Sequence, residues 1–201
     1  MGIFTPREVW LDGFYTLVLD YSLRVSLEGA LRRLWSHPSM AGCYLDRNRE
    51  PADQSRVDPS LKALEAGELL GVAGLPGGRV PCLTCAFSRS DGSNTLELSL
   101  PMASLRKFYC VGIYPFSGGQ EDHERKWQEE VDTWFTDIAQ YVSVQEPFRI
   151  AVIGFEILLD PEFSDRIQDE VPVRHPSLLR PAKGGLEWYP QDRPLAKVLR
   201  G

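Results

Sequence analysis

The chain has 201 residues, a net charge of −6, 43% hydrophobic residues and 25% charged residues. That is globular composition with room for one substantial core, which argues against a disordered chain. No apolar run reaches the length that spans a bilayer, and the acidic balance argues against a nucleic-acid partner, whose phosphates require a basic face.

Phe14 to Tyr21 (FYTLVLDY) is rich in aromatic and branched residues and predicts a strand. Ser26 is a suitable N-cap. Behind it Leu27, Ala30, Leu31, Leu34 and Trp35 repeat at helical spacing, and Pro38 stops the helix. A short strand is expected over Gly42 to Leu45. A polar loop follows to Pro59, then a short helix over Ser60 to Ala66 closed by Gly67. The middle of the chain predicts strands over Glu68–Leu75, Val80–Ser88 and Asn94–Leu100, with Pro76-Gly77-Gly78 and Asp91-Gly92 as turns. Lys107 to Tyr114 is expected to be a further strand.

The strongest helical pattern comes next. Trp127, Val131, Trp134, Phe135, Ile138, Ala139 and Val142 form one apolar stripe, while Glu124, Gln128, Glu129 and Asp132 are placed off it. Glu121 and Asp122 lie at its N-terminus, where the helix dipole favours negative charge. Phe148 to Leu159 reads as a central strand, apolar on both faces apart from Glu156. From residue 161 the prolines and Gly184-Gly185 predict an extended tail packed on the domain. Residues 171–201 carry a net charge of +4, which leaves −10 on residues 1–170. The fold class expected is α+β. An antiparallel or mixed sheet carries two amphipathic helices on one face, as a split β-α-β with a β-hairpin insertion. It comprises one domain over 1–160 and a Pro-rich tail over 161–201.

The motifs give little chemistry. Cys82-Leu83-Thr84-Cys85 is a CxxC, but it lies in a strand pattern, where residues three apart face opposite ways. Cys43 and Cys110 are isolated, so no metal site is expected, and buried structural thiols are the better reading. His37, His123 and His175 lie in no zinc-protease spacing. There is no phosphate loop and no nucleophile elbow, and no cofactor is expected. Glu156 interrupts an apolar strand and is read as reaching water near the strand end. Asp20, Glu97 and Glu156 meet only if the sheet order brings them together. Trp10 and the Trp188-Tyr189 pair are candidate anchors, or else they pack the chain ends onto the domain.

The positive signal is Tyr109 to Gly119 (YCVGIYPFSGG), an aromatic loop leading into the acidic helix start. Tyr114 and Phe116 as anchors, beside Glu121 and Asp122, suit a basic protein partner. The chain is accordingly read as a non-enzymatic cytoplasmic protein-binding module. Its profile resembles, at the level of class, immunity-type inhibitors of toxins. The N-terminus carries no secretory pattern, and no membrane association is expected. Two other readings stand beside it: a small hydrolase pairing Glu156 with His37 or His123, and an assembly subunit using its tail as an arm.

Overall fold

A computed structural model describes residues 2–21, 27–89, 92–111, 121–157, 159, 176–191 and 197–200, with the backbone alone at 121–125 and 200. The architecture is mixed α+β, built on a large antiparallel sheet. In chain order the strands are β1 (Phe14–Tyr21), β2 (Met40–Tyr44), β3 (Leu69–Leu75), β4 (Gly78–Ser88), β5 (Asn94–Pro101), β6 (Ile150–Phe155), β7 (Ser177–Ala182), β8 (Gly185–Tyr189) and β9 (Lys197–Arg200). The helices are α1 (Leu27–Trp35), α2 (Leu61–Leu64), α3 (Met102–Leu105) and α4 (Glu121–Ser143). One-turn 3-10 helices occupy Arg7–Trp10 and Pro51–Asp53.

The nine strands form one sheet in the order β2-β3-β4-β5-β1-β6-β7-β8-β9, with every pairing antiparallel. The first strand therefore lies near the centre, with Leu17 opposite both Leu98 and Ile153. Since β1 is antiparallel to both neighbours, β5 and β6 run the same way with β1 between them.

Alternation divides the sheet into two faces. Tyr15, Leu17, Leu19 and Tyr21 of β1 join Leu96, Leu98 and Leu100 of β5 in the main core. The apolar stripes of α1 and α4 belong to the same core, and the two helices touch. Gly71 of β3 lies directly under the Trp35 ring, and a Cβ there would overlap the indole. The opposite face holds two smaller clusters. Phe4, Tyr44, Leu70, Val72 and Leu83 form the first, with Trp10 packed against it. Ile150, Val152 and Leu178 form the second.

The structure departs from the sequence reading in several places. Two amphipathic helices and a short helix over Ser60–Ala66 were expected; among the described residues there are four helices, the unexpected one being the single turn α3. Residues 107–111 are not a strand. Pro101 instead opens α3, and a turn at Lys107–Phe108 follows it. The strand read over Phe148–Leu159 is shorter, Ile150–Phe155, because Glu156 turns the backbone to φ 45°. Within the stretch expected to be an extended tail, the described segments include β7 and β8, joined at Gly184, and β9. Among the described residues no helix is long and apolar enough to cross a membrane.

Candidate functional site

Helix α4 is the element on which the candidate surface depends. Its inward stripe, from Trp127 to Val142, is buried as its periodicity predicts. The outward positions include exposed Lys126, Glu129, Thr133 and Asp137 and half-buried Glu130. Over its 23 residues α4 holds seven acidic residues and two basic ones, and Glu129, Glu130 and Asp137 stand on its solvent side. Glu121 and Asp122 form its first turn, as placed by the backbone. Their side chains, together with Tyr114 and Phe116, lie outside the described residues, as do the side chain of His123 and all of His175.

Asp132 was expected on the solvent side of α4, but it is buried. It falls three residues before Phe135 and seven before Ala139, which places it on the inward stripe. Its Oδ1 accepts the Tyr15 hydroxyl at 2.7 Å. The Ser177 hydroxyl also donates to it, and Ser177 Oγ accepts Trp188 Nε1 at 3.0 Å. One hydrogen-bonded chain thus joins α4, β1, β7 and β8. Burial pushes the Asp132 carboxyl up to about 6; the Ser177 and Tyr15 hydroxyls oppose that shift, and Glu129 adds to it.

The pH consequence has a definite sign. A carboxyl that is a weaker acid when folded holds its proton longer in the native state, so this group favours the fold most at low pH. Its contribution falls as pH rises from the ordinary carboxylate range through about 6. The slope is at most about 1.4 kcal/mol per pH unit. Asp132→Asn is expected to remove this component. Urea unfolding of both proteins at several pH values between 4 and 7 checks it, and parallel stability curves would rule the titration out.

Of the three carboxylates considered together from sequence, Asp20 and Glu97 share a face and Glu156 lies apart. Asp20 is fully buried and held by two guanidinium groups. Arg149 donates from Nε at 3.0 Å and Nη2 at 2.7 Å, and Arg89 Nη1 lies 3.4 Å away. Arg89 also donates to the Leu159 carbonyl at 2.7 Å, tying the chain beyond β6 to this centre. Glu97 shares the face, opposite Val18, and burial raises its carboxyl while Arg89 lowers it. Glu156 sits at the other end of the β1–β6 pair, exposed, its N–H bonded to the Phe14 carbonyl at 3.0 Å. Arg149, excluded from pairing with Glu156 by its spacing, serves Asp20 instead.

His37 is buried, and its two ring nitrogens contact Ser39 Oγ at 2.7 Å and Asp137 Oδ2 at 3.2 Å. Burial lowers its basicity, Asp137 raises it and Arg33 lowers it again. Those partners tie it to the end of α1 and to α4.

Cys82 lies in the main core, whereas Cys85 packs at the edge of the opposite face, as strand alternation requires. All four cysteines are free thiols. Burial pushes the thiols of Cys43 and Cys85 up to about 12, which leaves both poor nucleophiles. Among the described residues no group of His, Cys, Asp and Glu is arranged to hold a metal ion. Trp10 donates to the Phe4 carbonyl at 2.7 Å and Trp188 to Ser177, so both pack the chain ends onto the domain.

Comparison with known proteins yields no match to any family profile, to any curated protein or to any solved structure.

Proposed function

We propose that the chain is a non-enzymatic protein-binding module acting in the cytoplasm, of the type that captures and inhibits a basic, toxin-like partner. One observation carries the reading: the outward side of α4 presents Glu129, Glu130 and Asp137 in line with the acidic first turn at Glu121 and Asp122. Like charges along one helix repel each other, so the surface is better satisfied when an opposite charge covers it. In this reading α1 and α4 form a two-helix cover on one face of a split β-α-β frame. The sheet then holds α4 rigid, and Tyr114 and Phe116 flank the acidic turn as anchors.

Such an interface predicts fast, salt-sensitive association. Capture of the tagged protein's partner from its native lysate at low and high salt tests it. One basic protein is expected, retained at low salt and depleted at high salt. The double reversal Glu129→Lys, Glu130→Lys, which spares the Asp137 contact to His37, is expected to slow association with that protein at least tenfold and to leave the fold intact. An unchanged association rate would remove α4 from the interface.

A further inference from the structure

We propose that the pocket between the N-terminal segment, the start of β4 and the exit of α3 binds a small oxyanion, a phosphate or carboxylate carried on a compact apolar group. The site is separate from the acidic side of α4 and does not depend on the reading given above. The pocket has a volume of about 250 Å³ and is lined by Gly2, Ile3, Arg79, Val80, Pro81, Ser104, Lys107 and Phe108. Two cations and no carboxylate lie among these eight residues, in a chain whose net charge is −6. Arg106, one residue before Lys107, is ion-paired with Asp12. Arg79 and Lys107 make no ion pair among the described residues, and both are exposed. Holding two unneutralised cations together is unfavourable, and an anion between them relieves the repulsion.

The walls are held in place by bonds outside the pocket. Glu50 accepts the backbone N–H groups of Ile3 at 2.7 Å and Thr5 at 2.9 Å and the Thr5 hydroxyl at 2.6 Å, which fixes the Gly2–Ile3 wall. Its carboxylate is committed to those donors. Ser104 is buried at the base, and its hydroxyl is bonded to the Val9 carbonyl at 3.1 Å. On the far side the Gly77 N–H donates to the Tyr109 hydroxyl at 3.1 Å, and the Phe108 ring packs over Gly78 where a Cβ would stand. Phe108 is thereby held in place while 44% exposed, an apolar surface beside the two charges.

The chemistry separates the roles. Arg79 offers a planar fork that suits a two-oxygen face, and Lys107 a point charge. Phe108 offers contact to a planar or aliphatic group attached to the anion. Calorimetric and NMR titration of the full chain with inorganic phosphate, phenyl phosphate and benzoate tests the assignment. Saturable binding of phenyl phosphate is expected, with shifts confined to residues 2–3, 79–81 and 104–108. Arg79→Ala and Lys107→Ala are each expected to weaken it about tenfold or more. Phe108→Ala is expected to weaken phenyl phosphate but leave inorganic phosphate unchanged. Comparable affinity for benzoate and phenyl phosphate would show that the site takes either oxyanion, whereas binding of phenyl phosphate without benzoate would assign it to phosphates. No saturation by any of the three probes, or equal binding by wild type and both cation variants, would overturn the proposal. Arg79 and Lys107 are exposed, so their substitution leaves the fold available for the measurement.

Discussion

Replacing Asp20 by alanine is expected to lower the unfolding free energy by about 4 kcal/mol, the range for breaking a buried ion pair by removing one partner. The Asp20 side chain is fully buried, and the side chains of Arg89 and Arg149 are only 13% and 26% exposed. Without Asp20 both guanidinium groups lose their carboxylate partner in a largely buried setting. The geometry also ranks its partners. Arg149 makes two bonds to Asp20 and bonds its own N–H to the Asp20 carbonyl at 2.7 Å, whereas Arg89 makes one long contact. Arg149→Met should therefore cost more than Arg89→Met. Urea titration of the three variants decides it. A loss below about 1 kcal/mol for Asp20→Ala, or the reverse order for the arginines, would mean that this centre is not what joins β1, β6 and the β4–β5 hairpin.

Truncating Phe4 to alanine is expected to cost about 3 kcal/mol, the low end of the range for a buried phenylalanine, because a chain end can relax into part of the hole. Phe4 is 1% exposed and meets the Tyr44 ring edge-on at 5.7 Å and the Trp10 ring at 6.1 Å. It packs with Leu70, Val72 and Leu83 in the cluster on the face away from α4. Desolvation works against the ionised form of Glu50, but its hydrogen bonds to Thr5, Ile3 and Phe4 outweigh that effect and hold its carboxyl at about 2. The contribution of this anchor is fully present above the ordinary carboxylate range and is lost progressively as pH falls from there through about 2. Hydrogen exchange reads the Phe4 variant directly. Protection should fall at residues 3–10 and along β2 and β3, while α4 stays protected. Undiminished protection there would show that the segment is not part of the fold's stability.

The sequence revealed most of the frame and little of its polar interior. β1 and α1 read at their observed bounds because one is dense in aromatic and branched residues and the other is strictly periodic. α4 was legible for the same reason, with one error that matters. Asp132 looked like a solvent residue by type, although its spacing from Phe135 and Ala139 already placed it inward. Residue type misled again at residues 107–111, the described part of the strand expected over Lys107–Tyr114, where strand-forming side chains follow the helical turn α3. In the tail, the prolines hid a hairpin whose turn, Gly184-Gly185, was visible. Asp20 looked unremarkable because its partners lie 69 and 129 residues away. Side-chain pairs across such distances follow from sheet order, which periodicity does not encode.

The position of the first strand has a consequence for how the chain comes together. Leu17 is matched by Leu98 and Ile153, at separations of 81 and 136 residues. Of the two neighbours of β1, β5 ends at Pro101, whereas β6 begins only at Ile150. Contacts of that span carry a large loop-closure cost before they return any stability, which places the chain among slow folders. During synthesis, β3, β4 and β5 can zip locally as a meander and take up β1 on β5, which leaves the other edge of β1 open. The interval before β6 emerges is when the molecule is most prone to pair wrongly with another copy.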